Sequence, residues 1–501
     1  MLELAMIFSD SMVLQREKPI HIWGKDTPKS RVSVTLIGDK VSACTDQCGN
    51  WHIVLPEKKA ATDLILTVCD DDGDKITLKD ICIGEVWIAG GQSNMEFPLA
   101  YDVHFETEII NQERNPRIRF FDYPEVAYEG ELNDREYKNE GFWRGCTAED
   151  LGYFSAVGFY FAKNLQEAID VPVGIVGCNW AGTPACAWMD SNYLKGTEGE
   201  VWVKDYESEF ANINFDDFIE KYKVSPFTDR TNNVDNPFNI QMVKIGAADE
   251  RENPMDEVEL DSSMFQLFKF EQRPGGLYET MLKKIVPFAA RGVIWYQGET
   301  DGDSHAKEYT TVFSKMIENW RALWGEELPF LFVQLAPFEK WAECYGENYI
   351  QVRDCQEEVS KNVSNCWMAA IGDVGMQWDI HPKNKRPVGD RLALLARGHV
   401  YGENIVCDAP EVIDVVKKGD DIVIRFANAE GLFIKGDRLQ AMNLNSKTQD
   451  SIAVDAEVLN DTLILHSVGD VTEIRFAKEP YHEVNLYNSS EIPAKPFVFK
   501  L

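Results

Sequence analysis

Positive charge is scarce in this sequence: 50 lysines and arginines stand against 83 aspartates and glutamates, a formal net charge of −33. A chain this acidic repels nucleic-acid phosphates and anionic membrane surfaces, which sets both aside as partners. The plainer reading of the charge is a solvated acidic surface that maintains solubility. Long apolar runs are also missing, since none approaches the ~18 to 20 residues that span a bilayer. The opening stretch, "MLELAMIFSDSMVLQREKPI", has no basic n-region, no sustained apolar core and no small-residue cleavage site. The eleven cysteines are an odd number without framework spacing. Cys44 and Cys48 have no second cysteine or histidine pair nearby at zinc spacing. The expectation is a cytoplasmic protein with no structural metal, whose substrate is small enough to be imported.

What is present is core-forming material. Apolar residues make up 44% of the 501, and a chain of this length exceeds the size at which one core keeps growing. Residues 1–80 are short β-type runs ("PIHIWGK", "RVSVTLIG", "NWHIVLP", "DLILTVCD", "KITLKDICIG") broken by turn residues, which predicts a β-sandwich-like domain. Over 81–405, the runs "EVWIAGG", "RIRFFDYP", "VPVGIVGCN", "RGVIWYQG", "LPFLFVQLA" and "CWMAAIGDVG" alternate with amphipathic segments. One of these, Lys307 to Trp324, aligns Phe313, Met316, Ile317, Trp320 and Trp324 on one face and stops at Gly325. Strands alternating with helices predict an α/β domain with a mostly parallel sheet covered on both faces. From 406 to 501 the β pattern returns, as a second flanking domain. Residues 190–273 fit the alternation least well and are expected to form an inserted lid or cap.

Candidate chemistry gathers in four loops that each follow a strand candidate. Ser93, in "GEVWIAGGQSNMEFPL", comes after an apolar run and two glycines, at the strand end where open α/β sheets bind ligands. The plainer reading is a serine at a helix cap. A nucleophilic serine needs a base, usually a histidine oriented by a carboxylate. Of eight histidines, His381 in "DIHPKNK" follows the last strand candidate, and Pro382 keeps it in the loop before a helix expected near Lys383. Asp379, two residues earlier, is placed to accept its imidazole N–H. The loops Trp180-Ala181-Gly182-Thr183 and Tyr296-Gln297-Gly298-Glu299-Thr300-Asp301 offer a closely approaching backbone N–H and a side-chain amide for an oxyanion. Each is an ordinary polar turn by itself; four in order along one sheet form a pattern. The string Gly91-Gln92-Ser93-Asn94-Met95 lacks the last glycine of the Gly-x-Ser-x-Gly elbow, which disfavours an ordinary α/β-hydrolase.

The order GQSN, AGT, WYQGETD and DIHPKNK resembles the SGNH-hydrolase superfamily, specifically the sialate O-acetylesterase-like carbohydrate esterases. Longer segments share the likeness, among them "ITLKDICIGEVWIAGGQSNMEFPL", "PGGLYETMLKKIVPFAARGVIWYQGETD" and "DIHPKNKRPVGDRLALLARG". The resemblance implies a flavodoxin-like three-layer catalytic domain between the two β domains. It also implies Ser93 as nucleophile, His381 as general base and Asp379 as its orienting partner, with Asp373 a second candidate for that last role. The oxyanion would be held by the backbone N–H groups of Ser93 and Gly182 and the Gln297 amide. Gln92, Asn94, Trp180, Glu299 and Trp378 are candidate substrate contacts, the tryptophans, with Trp188, as an aromatic wall for a sugar. The reaction implied is removal of an O-acetyl group from a carbohydrate through an acetyl-enzyme intermediate, with no metal or cofactor. The sugar is open between O-acetylated sialic acid and acetylated hemicellulose oligosaccharides of the xylan, mannan or xyloglucan type. A lipid or thioester hydrolase and a non-catalytic carbohydrate-binding protein are the remaining alternatives.

Overall fold

The computed structural model describes residues 1–501 apart from 112–114, 135–136, 138, 212, 225–269 and 447–454. Its described residues divide into two compact units, the first made of 1–224, 270–295 and 311–330, the second of 296–310 and 331–501.

In the first unit the N-terminal strands follow the alternation that their sequences predict. Arg31–Leu36 buries Val32, Val34 and Leu36 and turns the intervening residues outward, and Asn50–Leu55 does the same with Trp51, Ile53 and Leu55. A strand that the apolar pattern did not announce, Asp39–Cys44, pairs with Arg31–Leu36 through a two-residue turn at Ile37 and Gly38, both at positive φ. Its side chains are nowhere fully buried, so turn geometry rather than burial recruits it.

The strand Lys75–Gly91 is the organising element. Its first residues are exposed or half-exposed and pair antiparallel with Ala61–Cys69. From Ile81 to Gly91 every residue is buried, and Glu85 to Gly91 pairs in parallel with Val173–Asn179. A strand covered on both faces reads as an unbroken apolar run, which is why "ICIGEVWIAGG" shows no alternation. Val173–Asn179 pairs in parallel with Asn115–Asp122 on its other side, and the short edge strand Trp143–Cys146 adds antiparallel to that. Gly292–Tyr296 lies on the far side of the long strand.

The helix Ala156–Ile169 starts where Ser155 accepts the Gly158 N–H at 3.0 Å and ends on Asp170 at φ 52. Tyr309–Trp324 is the amphipathic helix expected, with Phe313, Met316, Ile317 and Trp320 fully buried and Gly325 at φ 69 ending it. Within 190–273, Glu200–Phe210 and Phe215–Val224 are helical; the acidic stretch that completes the expected lid lies outside the described residues.

In the second unit the strands Phe330–Val333 and Cys366–Ala369 are hydrogen-bonded neighbours, and the helix Gly346–Asn362 leads from one to the other. The C-terminal strands form a four-stranded, a three-stranded and a two-stranded antiparallel sheet. Ile422, Ile424, Leu463 and Leu465 from the first share a single core with Leu444, Ile474 and Phe476 from the second, the arrangement of a sandwich. Among the described residues no helix is long and apolar enough to cross a membrane.

Candidate active site

Ser93 owes its place to the residue two before it. Gly91 ends the long strand at φ 139, a conformation hostile to any side chain, and the chain turns into the four-residue helix Ser93–Glu96. The turn is closed by Met95 N–H to Gln92 O (2.7 Å) and Phe97 N–H to Ser93 O (2.8 Å). Gln92, Ser93 and Asn94 are all buried, Ser93 at 9% exposure.

The neighbouring strand brings the Trp180–Thr183 loop to the same end of the sheet. Asn179 pairs with Gly91, its amide donates to Ala89 O at 3.0 Å, and Trp180 N–H donates to Gly91 O at 3.1 Å. Glu96 adds a bond that the sequence did not advertise: its Oε2 accepts the Ala181 N–H at 2.8 Å. That amide is therefore committed, and the next one along the loop belongs to Gly182. Gln272 donates to Gly182 O at 2.8 Å, and Thr183 Oγ donates to Trp180 O at 2.7 Å. Trp180 and Trp188 are fully buried; the Trp188 indole N–H donates to Thr183 Oγ and its carbonyl accepts from Trp320. In this structure neither presents a face to solvent.

The chain enters the second unit at Tyr296. Gly298, at φ 142, turns it into the helix Glu299–Ser304, and a side chain there would press on Val352 at 3.0 Å. Gln297 is fully buried and held at both ends of its amide. Asp301 can only accept, so Nε2 donates to it, at 2.5 Å. Oε1 accepts from the Tyr309 hydroxyl at 3.2 Å, and the Gln297 carbonyl accepts from Tyr309 and Gln356. Glu299, two residues on, is buried.

Asp379 and His381 meet in the loop after Cys366–Ala369. Asp379 Oδ1 accepts the His381 backbone N–H at 2.8 Å and lies 3.5 Å from its Nδ1, while Oδ2 pairs with Lys383 Nζ at 2.8 Å. These side-chain bonds hold residues 379–383 in a turn, so the helix expected near Lys383 begins instead at Arg386, with Pro387 in its first turn. Asp373, the second candidate for orienting the histidine, is engaged elsewhere: Arg391 forks onto both its oxygens at 2.7 Å and the Tyr487 hydroxyl donates to it. His381 is 4% exposed, with Trp341 edge-on at 5.1 Å. Burial lowers its pKa from 6.5 to about 4; Asp379 opposes the shift, and Lys383 and Lys385 add to it. The ring is thus neutral at physiological pH. Lys385, itself fully buried, places its ammonium 5.3 Å from the Tyr296 ring and so ties the histidine loop to the Gln297 loop. Trp378 is half-buried in the intervening turn.

Sequence reasoning passed over Glu96, Lys383, Asp301 and Tyr309. Lys383 and Asp301 stand inside the quoted motifs, four residues from their partners, and that spacing was their signal. Glu96 acts on a residue 85 positions away, which no local pattern reports.

Ser93 thus stands at a strand end in the first unit, and Gln297, Asp379 and His381 stand in the second. The comparisons supply the class of protein. A family model described as carbohydrate esterase, sialic acid-specific acetylesterase, matches residues 262–394, a span that includes Gln297, Asp379 and His381. The sialate O-acetylesterase of Mus musculus is 27% identical over 81% of this chain and 75% of its own. That of Homo sapiens is 25% identical over 81% and 72%. The crystal structure of a carbohydrate acetylesterase from Xanthomonas citri, 29% identical, matches with a TM-score of 0.76 over 99% of both chains. These likenesses support a sialate O-acetylesterase-like carbohydrate esterase, and the reaction class is carboxylic ester hydrolysis.

Proposed function

We propose that this chain is a serine esterase that removes O-acetyl groups from carbohydrates, with residues 81–405 as an SGNH-hydrolase domain between β domains at 1–80 and 406–501. The observation that carries the mechanism is the pairing of Asp379 with a buried, neutral His381. Ser93 Oγ attacks the acetyl carbonyl while His381 takes its proton. The negative charge passes to the carbonyl oxygen, where the N–H groups of Ser93, Gly182 and Gln297 receive it. His381 then protonates the departing sugar oxygen, leaving acetyl-Ser93 and a free hydroxyl. Water, deprotonated by the same histidine, releases acetate and restores the serine. The commitment of Ala181 N–H to Glu96 supports Gly182 as the loop's donor.

Acetate release from O-acetylated sialic acid and from acetylated xylo- and manno-oligosaccharides, measured in parallel, tests the substrate. The sialate-like comparisons favour the first; release only from the oligosaccharides transfers the assignment to hemicellulose, and release from none overturns it.

Three further results are expected. A general base must be unprotonated, so kcat/KM should stay level as pH falls through 6.5 and drop only near pH 4. Lys383→Met removes a charge that helps to depress the histidine, and should move that limb upward; a profile unchanged in the variant would separate Lys383 from the base. Gln297→Ala should lower kcat by about 10²- to 10³-fold, the usual worth of one oxyanion donor, with little change in KM. A loss shared between kcat and KM would make Gln297 a substrate contact instead.

A further inference from the structure

A second cluster of reactive groups lies where the chain leaves its last long helix for the C-terminal sheets. The helix Arg386–Leu395 continues through a π-helical turn, Ala396–Val400, that carries His399. The following connection carries Cys407 and Asp408 into the strand Glu411–Lys418. His399 Nε2 is 3.6 Å from Cys407 Sγ and 2.9 and 3.0 Å from the two Asp408 oxygens. Cys407 Sγ is 3.7 Å from Asp408 Oδ2. All three donor atoms fall within 4.8 Å of one another.

These separations are close to those of a coordination tetrahedron. Zinc bonds of about 2.3 Å to sulfur and 2.0 to 2.1 Å to nitrogen set the two donors roughly 3.5 to 3.6 Å apart. The nitrogen–oxygen edge is shorter than a tetrahedron needs, because those atoms share a hydrogen bond, and a small swing of the carboxylate opens it. The donors are also held in place. Trp367 stacks on the imidazole at 4.5 Å with a 12° interplanar angle. Gly398 gives Cys407 room, since a Cβ there would lie 2.3 Å from the sulfur. Asn488 fixes the Asp408 carbonyl at 2.9 Å. A thiol–imidazole–carboxylate relay would put the carboxylate behind the ring, on Nδ1; here sulfur and carboxylate both face Nε2, the arrangement of ligands around a common centre. His399 and Asp408 are 25% and 35% exposed, so a fourth position opens to solvent.

We propose that His399, Cys407 and Asp408 form a three-ligand site for a thiophilic divalent cation of the zinc class, completed by water, which clips the helix Arg386–Leu395 to the first strand of the C-terminal sheets. The mixed sulfur, nitrogen and oxygen donor set favours such a cation over calcium or magnesium. The site has no part in the ester chemistry.

The test uses the full chain, stripped with a chelator and titrated with zinc by calorimetry and with cadmium by its thiolate charge-transfer absorbance. One metal per chain, a cadmium–thiolate band, and a Tm that rises with zinc concentration are expected. The band should vanish in Cys407→Ser and survive in a Cys44→Ser, Cys48→Ser double variant, because those two thiols are exposed. His399→Gln and Asp408→Asn should each weaken binding by more than about 10-fold, and they carry the test if Cys407→Ser fails to fold. Absence of binding, or a band undiminished in Cys407→Ser, overturns the site. Esterase activity should be retained in all of these variants, which keeps this result distinct from the proposed reaction.

Discussion

Ser93→Ala is expected to cut acetate release by at least ~10⁴-fold while the protein stays folded and still binds substrate. The substitution deletes one oxygen from a side chain that is already 9% exposed. It leaves the backbone bonds that shape the turn, Met95 N–H to Gln92 O and Phe97 N–H to Ser93 O, as they are. Alanine also tolerates the helical conformation of this position, and the strain of the corner falls on Gly91, at φ 139, not on residue 93. A large loss of kcat with an unchanged far-ultraviolet spectrum and Tm therefore reports chemistry rather than unfolding. The residual rate would come from the oxyanion donors and from binding, which act without a nucleophile. Activity within tenfold of wild type would remove Ser93 from the reaction and leave His381 to activate water directly. An acetyl group trapped on the wild-type chain after rapid quenching, and absent from the variant, would place the intermediate on this residue.

Much of this could be read before the structure. The strand runs of the central region all form strands, because chains covered on both faces must be continuously apolar and stand out. Gln297, Asp379 and His381 lie in loops after strands, and Ser93 opens the short helix Ser93–Glu96 just past its strand. The misses have physical causes. Asp39–Cys44 is a strand made by a turn and carries no apolar stripe. The helix after His381 begins three residues late because Asp379 bonds the His381 N–H and Lys383 in the turn before it. Trp180 and Trp188 read as a sugar platform because an aromatic residue beside a candidate loop looks alike whether it faces solvent or core; both are fully buried here, and Trp188 is bonded to Thr183 and Trp320. The choice between Asp373 and Asp379 was open in sequence because both precede His381 by a plausible interval. In the structure Asp373 is engaged by Arg391, 18 positions away, and Tyr487, 114 positions away, contacts that no local pattern reports.

Asp379→Asn is expected to lower kcat by about 10⁴-fold, the loss that follows when the partner of a catalytic histidine can no longer enforce its tautomer. The carboxylate offers only acceptors to Nδ1, so the ring proton belongs on Nδ1 and Nε2 is left to take the proton of Ser93. An asparagine turns a donor toward one of its neighbours. If its oxygen stays on the His381 backbone N–H and on Nδ1, its amide hydrogens face the Lys383 ammonium. If it rotates to relieve that repulsion, they face the ring and place the proton on the wrong nitrogen. Either way a buried pair loses its charge balance, since the Lys383 side chain is 10% exposed and Asp379 is fully enclosed. The variant should therefore also be less stable in chemical denaturation, and kcat must be measured on the folded fraction. Asp373→Asn supplies the contrast: it weakens the forked contact with Arg391, so it should lower stability while the folded fraction keeps its kcat. If the two phenotypes are exchanged, with the catalytic loss falling on Asp373, then the orienting carboxylate is Asp373, and the pairing of Asp379 with Lys383 is a brace for the loop alone.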